Sequence, residues 1–561
     1  MEIFLRAALY VMVSFLFIAC GTDNLKDNIS EYHIDKNISV TATPYVQSLG
    51  IATSINAKIN LGNEPKDLYI LLSNYAVSDG SLTINKHLKV LDTPLHENKT
   101  LADSNLNLIS EIVHAPKNVE LFNKNIKSYL YDTEYLKIKS DKILKNIEPR
   151  KKELGSEKIF YLDEKGNSST LATVRKIVQA STVFGPKILN IWVSNDSYGE
   201  GCTKVKCVTQ PMIDALANTF LKEGADNDIY DWVTNVYGKE WGEHSNNKLI
   251  ANKNEITILL TDIENDNKKS GGVIGYFFLK DSFKKEKFSG SNEEVMFYAD
   301  AVVFANSDGN WNINGYWAKE MVSTLAHEFQ HMIQFYQKSV LLDRDVTDTW
   351  LNEMLSESTE DLVASKIQHS GSRGVDYRIG SAGDKGNTQG RYPLFNSRNT
   401  LSLTRWSNHL ANYSVVNSFG AFLLRNYGGA KVLHDIMYSQ YSDQRAIEEA
   451  IHKIPQGRGK TFNDLQREWG IAVLLSNYDY LGESLPRYNT GGYMPTVFNL
   501  STYNLGSVNF FNYNPQPTFH ASTGTVESQG NYYYQIGTKL SGMIDIDLKL
   551  NGNTEATLIV K

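Results

Sequence analysis

The stretch TLAHEFQHMIQFYQ carries His327-Glu328-x-x-His331, two histidines four residues apart with a glutamate beside the first. Imidazole nitrogens are frequent zinc ligands and a neighbouring carboxylate is a ready proton acceptor, so the trio could hold an ion and activate water. The spacing requires a helix, because side chains four residues apart stack only at 3.6 residues per turn. The surrounding residues predict one. Met321, Val322, Leu325, Ala326, Phe329, Met332, Ile333 and Tyr336 form a broad apolar stripe, with His327 and His331 on the opposite side beside Glu320, Ser323, Thr324, Gln330 and Gln334. The bare motif also arises by chance, so its context has to decide.

A catalytic zinc keeps three protein ligands and one open position, which leaves one ligand to find. Downstream, DTWLNEMLSESTEDLVASKI predicts a second helix with Asp348 as N-cap. Leu351, Leu355 and Leu362 lie on its apolar side and Glu353, Glu357 and Glu360 share the other. Three carboxylates on one face repel by a few tenths of a kcal/mol per pair, a cost that a nearby cation removes. Alone, such a face reads as a solvated acidic surface. Beside the histidine motif it reads as a source of metal ligands.

The order H-E-x-x-H, a gap of about twenty residues, then W-L-N-E resembles the glutamate-zincins, the thermolysin-like metallopeptidases. More narrowly, ITILLTDIENDNKKSGGVIGYFF, SNEEVMFYADAVVF, HEFQHMIQFYQ and WLNEMLSESTEDL resemble the hyicolysin family of neutral metallopeptidases, from about Lys187 to Gly428. That resemblance implies an α+β zincin fold in which a mixed β-sheet subdomain and a helical subdomain enclose one catalytic Zn2+. It implies His327, His331 and Glu353 as ligands and Glu328 as general base. Relatives usually have Asn-Glu-Gly where this chain has Met354 after Glu353, a position that helical spacing turns away from the ligand direction. The segment YSVVNSFGAFLLRNYGG resembles the helix that follows the zinc site in many glutamate-zincins, which implies Tyr413 as donor to the oxyanion, with His409 one turn earlier as the other candidate. Glu357, one turn beyond Glu353, is expected to orient the histidines from behind.

Weaker signals surround this core. Asp262, Glu264 and Asp266 alternate before glycines in TDIENDNKKSGG, a pattern that suits either Ca2+ or a polar hairpin turn. GGVIGYFFLKD and EEVMFYADAVVFAN predict strands, the second of them the edge that would hydrogen-bond an extended peptide substrate. Cys202 and Cys207 predict a small disulfide-closed loop.

The amino terminus, MEIFLRAALYVMVSFLFIACG, has Arg6 and then an apolar run too short for a comfortable span, and reads as an export signal. Phe17-Ile18-Ala19-Cys20 resembles a bacterial lipobox, implying a diacylglycerol on Cys20 and attachment to a bacterial membrane, periplasmic or at the cell surface; an ordinary signal peptide is the alternative. With 561 residues, 41% apolar and 21% charged, the chain suits several globular domains, and its net charge of -7 argues against nucleic acid as partner.

The organisation expected is a signal peptide at 1–19, a flexible tether at 20–37, a β-rich N-terminal domain at 38–135 and a charged connector at 136–165. A metallopeptidase domain at 166–488 and a smaller β-rich C-terminal domain at 489–561 complete it. The function expected is an exported, lipid-anchored zinc endopeptidase acting on proteins or peptides. The alternatives are a catalytically silent surface adhesin or binding module, and a zinc amidase acting on cell-wall peptides.

Overall fold

The computed structural model describes residues 32–88, 112–113, 115–131, 152–251, 253–369, 390–478, 485–488 and 502–561. Cys20, the export signal and most of the charged connector lie outside the described residues.

The chain opens with strands β1 (His33–Ser39), β2 (Tyr45–Ile51), β3 (Ser54–Asn60), β4 (Lys66–Asn74) and β5 (Gly80–Leu88). Strand β6 (Ile112–Val113) and helices α1 (Lys117–Lys124) and α2 (Ile126–Tyr131) follow. The central part begins with β7 (Glu157–Tyr161), β8 (Ser169–Thr182), β9 (Gly185–Ser194), α3 (Gln210–Phe220) and α4 (Ile229–Tyr237). It continues with β10 (Glu255–Thr261), β11 (Gly272–Val273), β12 (Gly275–Phe277), β13 (Met296–Asp300), α5 (Ala301–Phe304), α6 (Tyr316–Gln334) and α7 (Thr349–Ile367). Helices α8 (Arg391–Arg398), α9 (Leu410–Asn426), α10 (Ala430–Met437), α11 (Gln444–His452) and α12 (Phe462–Leu474) come next. Strands β14 (Thr523–Val526), β15 (Asn531–Leu540), β16 (Met543–Leu550) and β17 (Thr554–Val560) close it.

The two β-rich ends, expected as separate domains, share their sheets. Alternation buries Ile55, Ala57 and Ile59 of β3 and Ile544, Ile546 and Leu548 of β16 on one face, and the two strands pair antiparallel with Ile55 opposite Leu548. In one sheet β16 lies between β3 and β5, and in the other β17 lies between β4 and β2. The amino-terminal strands alone would leave two gaps of unpaired backbone, which only the last strands fill. A common core spans both sheets. On the outer side, Gly470 of α12 sits against Leu71 of β4, so this sandwich also packs on the central helices.

The central sheet has the order β12-β13-β10-β9-β8-β7, with β9, β10 and β13 parallel and the others antiparallel. Strand β10 is buried over Ile256–Thr261, as expected of an inner parallel strand covered on both faces. Strand β7 comes from residues expected within the connector. The edge is β12, not β13 as the sequence suggested: GYF turns back antiparallel on β13, with Tyr276 opposite Tyr298, and takes the outer position. Gly275 makes this possible, because a Cβ there would lie 3.0 Å from Thr324 Cγ2 and 3.1 Å from the Tyr298 carbonyl. The edge strand therefore lies directly against α6. The class is mixed α+β, with a large core shared by the central sheet and the helices.

Candidate metal centre

Helix α6 forms where the stripe predicted it and packs its apolar residues under the sheet. The opposite, polar side is buried as well: Glu320, Ser323, Thr324, His327, Gln330 and Gln334 are all inaccessible. What covers Ser323, His327 and Gln330 is α7. His331 meets Asn352, His327 meets Glu360, and Ser323 also meets Glu360, so α7 runs antiparallel to α6.

This register brings the candidate ligands together. The imidazoles of His327 and His331 have centroids 4.9 Å apart, and Glu353 Oε2 lies 3.3 Å from His327 Nε2 and 3.6 Å from His331 Nε2. The three residues offer ligand atoms within 4.8 Å of one another. Behind them, His327 Nδ1 lies 3.1 Å from Glu360 Oε1, and His331 Nδ1 lies 3.1 Å from Asn352 Oδ1. An ionised carboxylate and an amide oxygen only accept, so both Nδ1 atoms donate and both Nε2 lone pairs face Glu353. The His331 side chain is 15% exposed whereas His327 is wholly covered, so the cluster opens to solvent on the His331 side.

Glu328 stands beside the cluster without joining it. Its Oε2 accepts from the Phe277 N–H at 2.9 Å, while its Oε1 is buried with no hydrogen-bond partner among the described residues. Glu353 Oε2 is likewise buried with no hydrogen bond. Two carboxylate oxygens left this way at the focus of two imidazoles are what a divalent cation and its water would satisfy. The donor set of two nitrogens and one carboxylate oxygen suits zinc.

The electrostatics agree. Burial pushes the Glu328 carboxyl up to about 7, against the pull of His327 and His331. Burial also works against charge on Glu353, but the adjacent His331 and His327 rings hold its carboxyl well below the usual range. Burial would lower His327, yet the Glu353 and Glu360 carboxylates on either side of its ring raise it, and the charge of Glu353 likewise outweighs burial at His331. Without an ion, protons bind where a metal would, so protons and metal compete for the site.

The rest of the acidic face is not solvated. Glu357 accepts from Arg391 Nε at 3.1 Å and from Asn417 Nδ2 at 3.0 Å, both buried. The support expected of Glu357 toward a histidine is thus given by Glu360, two turns beyond Glu353. The i+7 spacing was visible in the sequence, but the choice between one turn and two depends on how α7 slides along α6. Met354 packs instead against α9, where Gly420 allows close approach: a Cβ there would lie 3.2 Å from Met354 Cγ.

Tyr413 of α9 is buried near the cluster. Its hydroxyl donates to Glu120 Oε1 at 3.3 Å, its ring packs on Trp406, and burial and the charge of Glu353 push its hydroxyl far up. Glu120 is itself pushed up to about 7 by burial and by Glu353. His409 is exposed at the N-cap of α9, where its backbone N–H donates to Asn412. Sequence reasoning missed Glu120 and Asn123, which line the cleft with Phe277, Leu279, His331 and Glu353.

Asp262 and Asp266 pair with Lys204 and Lys268, each at 2.8 Å, and the side chains of Asp262, Glu264 and Asp266 do not converge as a ligand group among the described residues. Ammonium groups already offset the charge that calcium would need. Cys202 and Cys207 are disulfide-bonded.

Residues 166–521 match the family described as Peptidase M30. The chain is also similar to the neutral metalloprotease ShpI of Staphylococcus hyicus, 27% identical over 252 residues, which covers 41% of this chain and 50% of ShpI. The chain thus spans about half the length of that curated relative.

Proposed function

This chain belongs to the Peptidase M30 family, and we propose that it is a zinc endopeptidase with a thermolysin-like catalytic arrangement, exported and held at a bacterial membrane by lipid on Cys20. The observation that carries the reading is the convergence of His327, His331 and Glu353 beside the unpartnered Oε1 of Glu328.

His327 Nε2, His331 Nε2 and Glu353 Oε2 would hold the ion. When bound, zinc would polarise the scissile carbonyl and acidify water. Glu328 acts as general base: the Phe277 N–H fixes Oε2, leaving Oε1 to accept the proton of the attacking water and return it to the leaving amine. The Tyr413 hydroxyl, kept protonated by its surroundings, donates to the oxyanion once substrate replaces Glu120 as its partner. Export and anchoring rest on Arg6, the apolar run and the Cys20 context.

Glu328→Gln tests the reading. The variant should bind zinc stoichiometrically and melt at the wild-type temperature while losing at least 100-fold in turnover of unfolded casein, because an amide cannot take the proton. Wild-type turnover in a zinc-loaded variant would exclude Glu328 as base.

A further inference from the structure

We propose that the stretch from Ile112 to Tyr131 is a built-in occupant of the substrate cleft, lying along the sheet edge where an extended peptide would bind; this rests on the peptidase reading above. Strand β6 pairs in parallel with β11 as a two-stranded ladder of its own, two residues before the edge strand β12 begins, with Ile112 opposite Gly272 and Val113 opposite Val273. The chain then turns at Pro116 into α1, whose Glu120, Asn123 and Lys124 line the cleft. There Asn123 Nδ2 donates to the Phe277 carbonyl at 2.8 Å, and the Leu279 N–H donates to Asn123 Oδ1 at 3.1 Å.

The Phe277 carbonyl ends the edge strand and the Leu279 N–H opens the turn that follows it, a carbonyl and an N–H two residues on, the spacing through which an edge holds a second extended chain. One carboxamide satisfies both, in place of a peptide group. One turn earlier Glu120 brings its carboxyl to Tyr413, beside the cluster of Glu328, His331 and Glu353. The stretch is held from its other side by aromatic packing: Phe122 lies 5.2 Å from Phe278 and 4.9 Å from Phe288, and Lys248 Nζ donates to the Leu130 carbonyl at 2.8 Å. The remaining cleft residues fall within the matched residues 166–521, whereas the occupant precedes them. The covering is therefore added to the catalytic unit and competes with substrate for one edge. Apparent peptide affinity falls with the fraction of molecules in which α1 has moved aside.

A permanent wall and a displaceable occupant make opposite predictions. In the full-length, zinc-loaded protein carrying Glu328→Gln, so that the probe is not consumed, binding of a fluorescein-labelled extended decapeptide is measured by anisotropy. Adding Glu120→Ala and Asn123→Ala should tighten binding about tenfold, since contacts holding only the covered state are removed. Asn125→Ala, whose exposed side chain among the described residues bonds to Leu121 of its own helix, should leave binding unchanged. With Glu328 intact, the double variant should show a correspondingly lower KM for casein. Amide exchange in the unsubstituted protein gives an independent arm: saturating peptide should deprotect residues 117–124 while protecting 277–279. Unchanged or weaker peptide binding in a folded double variant, or retained protection of 117–124 with peptide bound, would overturn the inference. Absence of casein turnover in every protein with Glu328 intact would count against the peptidase reading instead, and peptide binding would still decide this one.

Discussion

Glu360→Ala is the most informative single substitution at the site. Glu360 is buried, accepts from His327 Nδ1 at 3.1 Å, and accepts from Ser323 Oγ at 2.6 Å, so it fixes both the ring plane and the tautomer of one proposed ligand. Hydrogen bonds to a charged group contribute about 1.5–3 kcal/mol each, and loss of a carboxylate behind a metal-bound histidine typically weakens metal binding by about 10- to 100-fold. Those ranges agree, because 10- to 100-fold corresponds to about 1.4–2.7 kcal/mol. Zinc affinity should therefore fall by that factor in competition with a chromophoric chelator at fixed pH. Glu360→Gln, which keeps an acceptor oxygen but not the charge, should recover part of it. Glu357→Ala should behave differently. It removes the carboxylate that pairs with the buried Arg391 guanidinium, which costs up to about 3–5 kcal/mol of fold stability and lowers the melting temperature, with a smaller change in zinc affinity among molecules that fold. Near-wild-type zinc affinity in a folded Glu360→Ala protein, with Glu357→Ala losing zinc at an unchanged melting temperature, would refute the assignment.

Glu353→Ala should lose both zinc and activity, because it removes a direct ligand; metal analysis after dialysis against micromolar zinc checks this, and a fully loaded variant would mean that the third ligand lies elsewhere. Burial pushes His520 down to about 4. Its folded value thus lies below its unfolded one, so its contribution is complete above pH ~6.5 and is lost as pH falls toward 4, by at most about 3 kcal/mol and less for its partly exposed side. Urea melts from pH 7 to 4.5 should show that loss in the wild type and not in His520→Gln; equal slopes would exclude it. Cys20→Ser should move the protein from the detergent phase to the aqueous export fraction, and unchanged partitioning would rule out lipid on that residue.

What the sequence determined by itself was local. Helical periodicity relates residues a few positions apart, so His327 above His331, the placement of Glu328 outside the ligand pair, and the shared face of Glu353, Glu357 and Glu360 were all legible before any fold was known. The W-L-N-E context singled out Glu353, and the structure puts its Oε2 beside both histidines. What remained open depended on elements distant in the chain. Whether Glu357 or Glu360 backs His327 is set by the sliding of α7 along α6, and whether the acidic face is solvated is set by Arg391 and Asn417 arriving from other helices. Strands β12 and β13 carry similar β-forming residues, and pairing alone makes β12 the edge. The two β-rich ends read as separate domains because alternation shows that a strand has an inner face but not which strand lies beside it; β16 and β17 are separated from their partners by more than 400 residues. Covering of the cleft by Asn123 left no mark in the sequence, since an asparagine on a short polar helix has no distinctive pattern until the edge strand is in place. Side-chain spacing is written along the chain, whereas register, neighbour order and burial follow from long-range packing that local periodicity does not encode.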